Sequence, residues 1–481
     1  MFDLIVLGGG PAGVTAALRA RELGATVALI EQNRMGGTCT NDGCVPTRVL
    51  AKAARLLRDY NQFSDYGIIT APPVTDFERL IQRTQQVVYS IHEKKQLINV
   101  LQEAGVEVHA GVGQAQFVDP HSVALPDGTR LEAHKFVLCV GGHAARLKFA
   151  GAEHAITHSD VWSLKKLPES VVIIGAAATG CQLASIFSAF GSRVTLLEVA
   201  PTILPREDPT TSLTMGSAFA VHGIHLITGI GGVERIEKKS NGLEVFFKKD
   251  GQKSSENAET VILAVGWPGN LEGLNLAAAG VQPEHGYIQV DDGFCTSAPH
   301  IYAAGDITGR MMLVQSAGHE ARVATENAVL GEQLAHRHYI VPHGGFTDPE
   351  YGSVGLTEAE ACALGGCLVA LVNFSDLDRA IIDGRPEGFC KLIIDQDSHR
   401  IRGAHVVGEQ ALETIQLVAA GMAAGITIEQ LAELEIAYPT YAAVVGLAAR
   451  QLVHRLGLMP LSPQWRALHK PHLAEWENTD L

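Results

Sequence analysis

The sequence of 481 residues predicts an α/β protein in which one strand, glycine turn, helix and strand unit occurs twice. The first two observations are apolar runs at residues 3–7 and 171–174, each of which leads into a turn that contains glycine. The third is a composition with 46% hydrophobic residues, which is typical of a globular chain rather than a disordered one. The chain is long enough for two or three domains with a large buried core.

The first unit has the pattern of a dinucleotide-binding turn. Gly8, Gly10 and Gly13 lie between the strand at residues 3–7 and a helical stretch that runs to residue 23. Glycines at such a turn let the backbone approach a pyrophosphate, whose charge lies at the helix N-terminus. The next predicted strand closes on Glu31, which can accept hydrogen bonds from an adenosine ribose. Because the two strands, the helix and the terminal acid all match the pattern of a dinucleotide-binding unit, we interpret the unit as a Rossmann-like dinucleotide site.

The second unit repeats this order with one change. Gly175, Ala177 and Gly180 form the turn, a helix follows, and a second strand closes on Glu198. The change is the alanine at the middle position, and it leaves open the alternative that this unit is only a remnant of the fold. Alanine is the smallest replacement, however, and the glycine that sets helix–strand packing is present. We therefore expect one chain to bind two dinucleotides.

Charge and hydropathy exclude several classes of partner. The formal net charge of −15 argues against binding to nucleic acid or to an anionic membrane, because both need a basic face. No run of 18 apolar residues indicates a membrane span. The N-terminus enters a predicted core strand at once, without a leader pattern, so a cytoplasmic protein is expected. No metal site is predicted.

The eight cysteines are too few for a disulfide scaffold. Cys39 and Cys44 have a spacing that suggests chemistry, and glycines surround them. Cys362 and Cys367 share that spacing, but they follow a helical stretch and have no cofactor-like context. We interpret the second pair as structural and the other cysteines as buried thiols.

The segment GGTCTNDGCVPTR at residues 36–48 strongly resembles the active-site signature of the class I pyridine nucleotide–disulfide oxidoreductases. This family includes dihydrolipoamide dehydrogenase, glutathione reductase and mercuric reductase. Residues 296–306 resemble its second flavin motif, in which the aspartate corresponds to Asp306 here. Residues 346–358 resemble the start of its dimer-interface domain. The resemblance covers nearly the whole chain.

The resemblance implies a homodimer with FAD and NAD as cofactors. Each subunit would combine two Rossmann-like dinucleotide-binding domains with a C-terminal α+β dimer-interface domain. The implied boundaries are 1–145 and 272–338 for the FAD domain, 146–271 for the NAD(P) domain, 339–460 for the interface domain and 461–481 for a C-terminal tail. The further cofactor-binding residues that it implies are Gly37, Thr38, Arg48, Gly113, Gly141, Gln182, Gly266, Asp306, Met312 and Gln315.

The cysteine pair carries the implied chemistry. Cys44 lies just before a predicted helix, whose positive end lowers the pKa of a thiol. The family mechanism passes electrons from NADH through the flavin to Cys44, and it frees Cys39 to attack an external disulfide. In reverse, the same route oxidises a dithiol. Glu198 favours NADH over NADPH, because an acid there suits a free 2′-hydroxyl and repels a 2′-phosphate.

Five positions depart from the family pattern. Tyr438 stands where disulfide reductases have a histidine base, and the position of its supporting acid is Ala443. A tyrosine, with a pKa near 10, donates a proton at neutral pH more readily than it accepts one. Arg48 and Gln182 replace a lysine–glutamate pair beside the flavin, and Trp267 replaces an arginine and is interpreted as a packing residue.

These departures leave the substrate open. A disulfide or dithiol substrate, small or protein-borne, is the leading hypothesis. The first alternative is a metal-ion reductase of the mercuric type, a group that also has tyrosine in this region. Those enzymes usually end in a vicinal cysteine pair, and this chain ends in ENTDL. The second alternative is a redox-sensing flavoprotein with low turnover, which the missing base would favour.

Overall fold

The computed structural model describes residues 1–336, 338 and 340–458. The described chain forms two compact units. Unit 1 consists of Met1–Pro205 and Phe219–Tyr339, and unit 2 consists of Arg206–Ala218 and the residues from Ile340 onward. The predicted tail at residues 461–481 lies outside the described residues.

The helices and strands are numbered in chain order. The helices are α1 Pro11–Glu22, α2 Gly37–Asn41, α3 Cys44–Tyr60, α4 Phe77–Lys95, α5 Leu97–Glu103, α6 Ala178–Ala189, α7 Pro209–Val221, α8 Val314–Leu330, α9 Glu358–Ala363, α10 Asp378–Ile382, α11 Ala411–Ala424, α12 Ile428–Glu433 and α13 Ala443–Arg455. The strands are β1 Phe2–Leu7, β2 Val27–Glu31, β3 Glu107–Ala110, β4 Gln116–Asp119, β5 Ser122–Ala124, β6 Arg130–Leu138, β7 Ile156–Thr157, β8 Ser170–Ile174, β9 Arg193–Leu197, β10 His225–Ile227, β11 Ile230–Lys239, β12 Gly242–Lys249, β13 Gln252–Ala258, β14 Thr260–Leu263, β15 Pro283–Glu284, β16 Tyr287–Ile288, β17 Ile301–Ala303, β18 His343–Gly345, β19 Glu350–Gly355, β20 Cys367–Asn373, β21 Phe389–Asp395 and β22 Ile401–Gly408.

The first sheet of unit 1 has the strand order β3-β2-β1-β6-β5-β4, and β17 also pairs with β6. Strands β1, β2, β3, β6 and β17 run parallel to one another, whereas β5 pairs antiparallel with both β6 and β4. Alanines of α1 and α8, such as Ala16 and Ala321, pack with the buried strand residues Leu4 and Val6, and their small side chains allow close approach. Because parallel strands end at the same edge, the residues that follow β1, β2, β3 and β17 are gathered there.

The second sheet of unit 1 has the order β10-β9-β8-β14-β7, and all its pairs are parallel. Its central strand β8 is buried throughout and leads into the second glycine turn and α6. A three-stranded antiparallel sheet, β11-β12-β13, packs against it through Phe247 and Val245. The turns that end β1 and β8 therefore occupy equivalent places in two parallel sheets.

Unit 2 is built on the antiparallel sheet β18-β19-β22-β21-β20. Helices α11, α12 and α13 cover it, and residues such as Ile415, Leu431 and Val445 form one buried cluster with the strands. The start of α7 is held in this unit by the buried Lys391, whose ammonium lies 2.7 Å from Asp208 and 2.6 Å from Glu358. A buried ammonium needs such partners, because desolvation otherwise destabilises its charged form.

The structure joins the second cysteine pair by a covalent bond. Cys362 and Cys367, which were interpreted as structural, form a disulfide. Gly365 and Gly366 lie between them with φ values of 81° and 58°, a conformation that glycine adopts without strain. The turn that these glycines form brings the two cysteine Cα atoms within 5.0 Å.

The predicted fold class, two parallel dinucleotide-binding sheets followed by an α+β unit, is confirmed. The exact domain boundaries stay a prediction. Within the ranges that the structure describes, no helix is both long enough and apolar enough to cross a membrane.

Candidate active site

The first glycine turn is shaped by contacts that exclude a side chain. Gly8 has a φ of +106°, and a Cβ on Gly13 would lie 1.8 Å from the carbonyl oxygen of Gly8. A Cβ on Gly10 would meet nothing closer than the Cα of Gly37 at 3.6 Å. The Glu31 carboxylate accepts the backbone N–H of Gly9 at 2.6 Å, which fixes the turn. The turn is therefore a rigid cradle with open space at Gly10, and it fits the pyrophosphate of a dinucleotide.

The second turn has the same glycine contact and the same hydrogen bond from a backbone N–H to a glutamate. Gly175 has a φ of +100°, and a Cβ on Gly180 would lie 1.8 Å from the carbonyl oxygen of Gly175. Glu198 accepts the N–H of Ala176 at 2.6 Å. Ala177 has an extended backbone at the N-cap of α6, where its methyl group needs no special conformation. The alanine therefore costs the fold nothing, and the repeated geometry favours an intact turn over a remnant.

The cysteine motif packs directly on the first turn. A Cβ on Gly37 would lie 2.8 Å from the Cα of Gly10, so only glycine lets α2 approach. Cys44, predicted to lie just before a helix, is the first residue of α3. Cys39 lies on the short helix α2. The break falls at Gly43, where a Cβ would lie 3.0 Å from the Thr38 carbonyl oxygen.

The two thiols interact with a defined polarity. Both are free in the structure, and the Cys39 thiol donates a hydrogen bond to Cys44. This hydrogen bond lowers the pKa of Cys44 to about 7, although burial and the charge of Asp306 act in the opposite direction. Donation to Cys44, together with burial, raises the pKa of Cys39 far above its ordinary value. The reduced pair therefore carries its negative charge on Cys44, where α3 begins.

Removal of the Cys39 donor should raise the pKa of Cys44. In Cys39→Ala the thiolate loses its partner, so we expect its pKa to return by about one unit toward 8.5. Cys39→Ser keeps a hydroxyl group that can donate to Cys44, so it should shift the pKa of Cys44 less than Cys39→Ala does. The measurement is the rate of iodoacetamide alkylation of Cys44 against pH in the reduced protein. Wild-type alkylation should be full above the Cys44 pKa and slow below it, and an unmoved profile in Cys39→Ala would contradict this assignment.

Three residues distant in sequence hold the loop between the cysteines. The carboxylate of Asp42 accepts the Ser159 hydroxyl at 2.8 Å, and its carbonyl accepts the Trp162 indole N–H at 2.8 Å. The side chain of Asn41 lies 2.8 Å from His92. Sequence reasoning missed Ser159, Trp162 and His92, since no local motif marks them. Their contacts fix the loop and thus the relative position of the two sulfur atoms.

Asp306 lies at the edge of the first sheet just after β17. Burial raises the pKa of its carboxyl group, and the Trp267 indole N–H donates a hydrogen bond to it at 2.9 Å. Trp267 was interpreted as a packing residue, and this hydrogen bond corrects that interpretation. The indole orients the carboxylate that the family motif assigns to the ribityl chain. The charge of Asp306 also acts to raise the pKa of Cys44.

The other predicted cofactor residues lie on the same framework. Arg48 is on α3 and Gln182 is on α6, and these helices are joined by Arg58, whose guanidinium donates to the Ser185 carbonyl at 2.7 Å. A direct contact between Arg48 and Gln182 stays a prediction. The remaining residues are loop glycines with positive φ and the residues that begin α8: Gly113, Gly141, Gly266, Met312 and Gln315. Their roles toward the cofactors, and that of Thr38, also stay predictions.

Tyr438 belongs to unit 2 and is 70% exposed. Its hydroxyl donates a hydrogen bond to Asp378 at 2.5 Å, and this bond raises the pKa of Tyr438. Sequence reasoning looked for the supporting acid at residue 443 and missed Asp378, which is 60 residues away. Both residues line a cavity of ≈ 200 Å³ together with Arg379 and Arg450. The Asp378 carboxylate therefore fixes the orientation of the Tyr438 hydroxyl.

Comparison with known proteins decides the family. The model described as pyridine nucleotide-disulphide oxidoreductase matches residues 2–321, and the model described as its dimerisation domain matches residues 341–449. The chain belongs to this family. It is an NAD(P)H-dependent FAD disulfide oxidoreductase, and its dimerisation domain supports a homodimer.

Relatives with different substrates are about equally similar. Dihydrolipoyl dehydrogenase of Zymomonas mobilis is 32% identical over 448 residues, which cover 91% of this chain and 95% of the relative. Mercuric reductase of Lysinibacillus sphaericus is 30% identical over 452 residues, which cover 93% of this chain and 82% of the relative. A solved structure, the HOCl-induced flavoprotein disulfide reductase RclA from Escherichia coli, superposes with a TM-score of 0.82 at 27% identity, covering 93% of this chain and 99% of that chain. Similarity therefore establishes the family, and it is about equal for relatives that act on different substrates.

Proposed function

We propose that the protein carries two electrons from NADH to the Cys39–Cys44 disulfide and then to a small disulfide substrate, or that it runs this route in reverse with a dithiol. The placement of the cysteine pair carries the proposal. Cys44 is the first residue of α3, whose positive end favours a thiolate, and Cys39 lies on α2, which packs against the first glycine turn. FAD held by the first turn would supply two-electron transfer between the nicotinamide and the pair.

The reduced pair would reduce a disulfide in two exchanges. The Cys39 sulfur attacks one sulfur of the substrate, its proton passes to the Cys44 thiolate, and the first substrate thiolate leaves. Cys44 then loses that proton and attacks Cys39, which re-forms the disulfide and releases the second thiol. In sum, the pair is oxidised, and the substrate disulfide takes up two electrons and two protons. Tyr438, which Asp378 keeps protonated, is proposed to supply a proton to the first leaving thiolate.

NADH is the proposed nicotinamide. Glu198 is buried, and its carboxylate is held at the end of β9 by the N–H groups of Ala176 and Ala200. Residues 199–202 offer no basic side chain to pair with a 2′-phosphate. A fixed negative charge there favours the ribose diol of NADH over NADPH.

An anaerobic titration of the holoprotein tests both proposals. We expect NADH to be consumed at lower concentration than NADPH, and two electron equivalents to leave Cys44 alkylatable and the flavin oxidised. A long-wavelength absorbance from the Cys44 thiolate beside the flavin should appear at the same point. If NADH bleaches the flavin without exposing an alkylatable Cys44, the disulfide route is wrong. If NADPH is preferred, the nicotinamide assignment alone fails.

Substitutions of Tyr438 and Asp378 distinguish the proposed role of Tyr438 as proton donor from that of Asp378, which raises the pKa of Tyr438. Tyr438→Phe should lower kcat for disulfide reduction by about 10²-fold, as the loss of a general acid does. Activity that needs a protonated tyrosine falls as pH rises through its pKa. Asp378→Asn removes the hydrogen bond that raises the pKa of Tyr438, so the basic limb should move to lower pH.

The matched control is Asp376→Asn, since Asp376 lines the same cavity. It should leave the pH profile in place. If Asp378→Asn and Asp376→Asn shift the basic limb equally, the general charge of the cavity, rather than the Tyr438–Asp378 bond, sets the profile.

Reduction of a metal ion is the second candidate, and its support is the mercuric reductase relative. In this case Hg²⁺ would meet the Cys39–Cys44 pair, whose two thiols are both free in the structure. NADH oxidation that depends on Hg²⁺ and exceeds turnover with lipoamide or glutathione disulfide would favour this candidate. Slow turnover with all three would favour the redox-sensing alternative.

A further inference from the structure

We propose that Cys362–Cys367 is a second thiol–disulfide exchange site, separate from the flavin-linked pair, that reacts with small dithiols. The bond is at the surface. Cys362 is exposed in the last turn of α9, and Cys367 begins β20, the edge strand of the unit 2 sheet. An external thiol can therefore approach the pair without unfolding the domain, which is the first requirement for exchange.

The loop between these cysteines is held by other bonds as well. The Arg402 guanidinium donates to the carbonyl oxygens of Ala361 at 3.0 Å and Gly365 at 2.5 Å. The backbone N–H of Gln396 donates to the Gly366 carbonyl at 2.6 Å. Reduction of the disulfide therefore leaves these anchors in place. The two sulfur atoms stay close, so the bond can form again without a conformational search.

The disulfide is also of the kind that stabilises a fold least. It links residues separated by five positions, and in the chain-entropy account the stabilisation by a cross-link falls as the loop becomes shorter. Helix α9 already has its own capping box, in which Thr357 and Glu360 exchange hydrogen bonds. An accessible bond that contributes little to folding and lies in a preformed loop suits a reversible redox reaction better than a structural one.

The surroundings of this pair are opposite to those of Cys39 and Cys44. Cys44 begins a long helix, whose positive end stabilises a thiolate, whereas Cys362 lies at the negative end of α9. Asp395, the cross-strand partner of Cys367, is paired with Arg402 at 3.0 Å, and the Asp397 carboxylate lies near Gly366. Because the two cysteines stay close after the first exchange, the displaced cysteine would expel a single thiol from the mixed disulfide. A dithiol, which closes its own ring after the first exchange, is the reductant that this pair would take.

The proposed reaction conserves atoms and electrons. One thiolate of the dithiol attacks the bond and forms a mixed disulfide, and the displaced cysteine takes up a proton. The second thiol of the dithiol then closes its own ring and releases the other cysteine as a thiol. The dithiol is oxidised by two electrons, and Cys362 and Cys367 are reduced and gain two protons. No flavin or nicotinamide takes part.

The test uses the full chain with Cys39→Ser and Cys44→Ser and without nicotinamide, so its outcome is independent of the function proposed above. The folded protein is alkylated with iodoacetamide, treated with dithiothreitol and then labelled with N-ethylmaleimide. Peptide mass spectrometry should find Cys362 and Cys367 free of the first label and occupied by the second. After removal of dithiothreitol and addition of oxidised lipoamide, both should again resist labelling.

Two outcomes overturn the proposal. Iodoacetamide on either cysteine in the first step would show that no disulfide exists in solution. A pair that takes the second label only after the protein is unfolded would be a structural disulfide. The converse variant, Cys362→Ser with Cys367→Ser, should keep NADH-dependent disulfide turnover within about twofold of wild type, and a larger loss would show that the two pairs are not separate.

Discussion

Replacement of Cys44 by serine is expected to lower NADH-dependent disulfide reduction by about 10³-fold or more, with FAD still bound. A serine hydroxyl cannot form the disulfide that stores two electrons, so removal of either sulfur ends the route rather than slowing one step. The FAD contacts implied for the first turn and for Asp306 do not involve the Cys44 side chain. Flavin content should therefore stay at wild-type level, and NADH should still bleach the flavin.

The measurement combines flavin absorbance after desalting, NADH oxidation with a disulfide substrate, and NADH oxidation with a dye that accepts electrons directly from flavins. Cys39→Ser should lose disulfide turnover to the same extent and keep dye reduction. Cys295→Ser is the matched control, because that thiol lies in the same unit and donates a hydrogen bond to the carbonyl of Thr296. Substantial disulfide turnover by Cys44→Ser would mean that the substrate takes electrons directly from the flavin.

The fold, the first glycine turn and the cysteine pair could be predicted from the sequence because each is marked by a local sequence pattern. The turn at Gly8–Gly13, the acid at Glu31 and the spacing of Cys39 and Cys44 each lie within one short segment, where glycine geometry and strand pattern determine the structure. The repeat at Gly175–Gly180 adds a second independent instance. Even so, the sequence did not show that Cys39 lies on a helix, since the break at Gly43 depends on contact with the Thr38 carbonyl.

The supporting residues could not be predicted, because their partners are distant in the chain. Asp42 meets Ser159 and Trp162 across 117 and 120 residues, and Trp267 meets Asp306 across 39 residues. The same holds for Tyr438 and Asp378. The sequence analysis looked for an acid a few residues after the tyrosine, whereas the structure supplies one from α10. In each case the motif residue was found and the residue that orients it was missed.

The other large effect, a loss of cofactor binding, is expected from substitution of Gly180 or Gly13. Each is the last glycine of its turn and packs against the first glycine of that turn. In Gly180→Ala the new Cβ would lie 1.8 Å from the carbonyl oxygen of Gly175, which belongs to the backbone and cannot move without distorting the turn. We expect NADH affinity to fall by about 10²-fold, which corresponds to about 2.7 kcal/mol, while FAD stays bound. Gly13→Ala creates the same overlap with Gly8 in the first turn and should instead lose FAD. Isothermal titration with NADH and flavin content after desalting measure the two losses.

Two control variants distinguish the effect of a methyl group that overlaps with the protein backbone from the effect of one that takes up space for the ligand. Gly318→Ala places a methyl group 3.6 Å from the Thr15 hydroxyl in the middle of α8, an ordinary contact, and should keep both cofactors. Ala177→Gly removes the methyl group at the middle position of the second turn, which is occupied by Gly10 in the first turn. It should leave the fold unchanged and tighten NADH binding, because only the pyrophosphate would meet that methyl group. If Gly180→Ala binds NADH as the wild type does, nicotinamide does not use the second turn, and the remnant interpretation of that unit is correct.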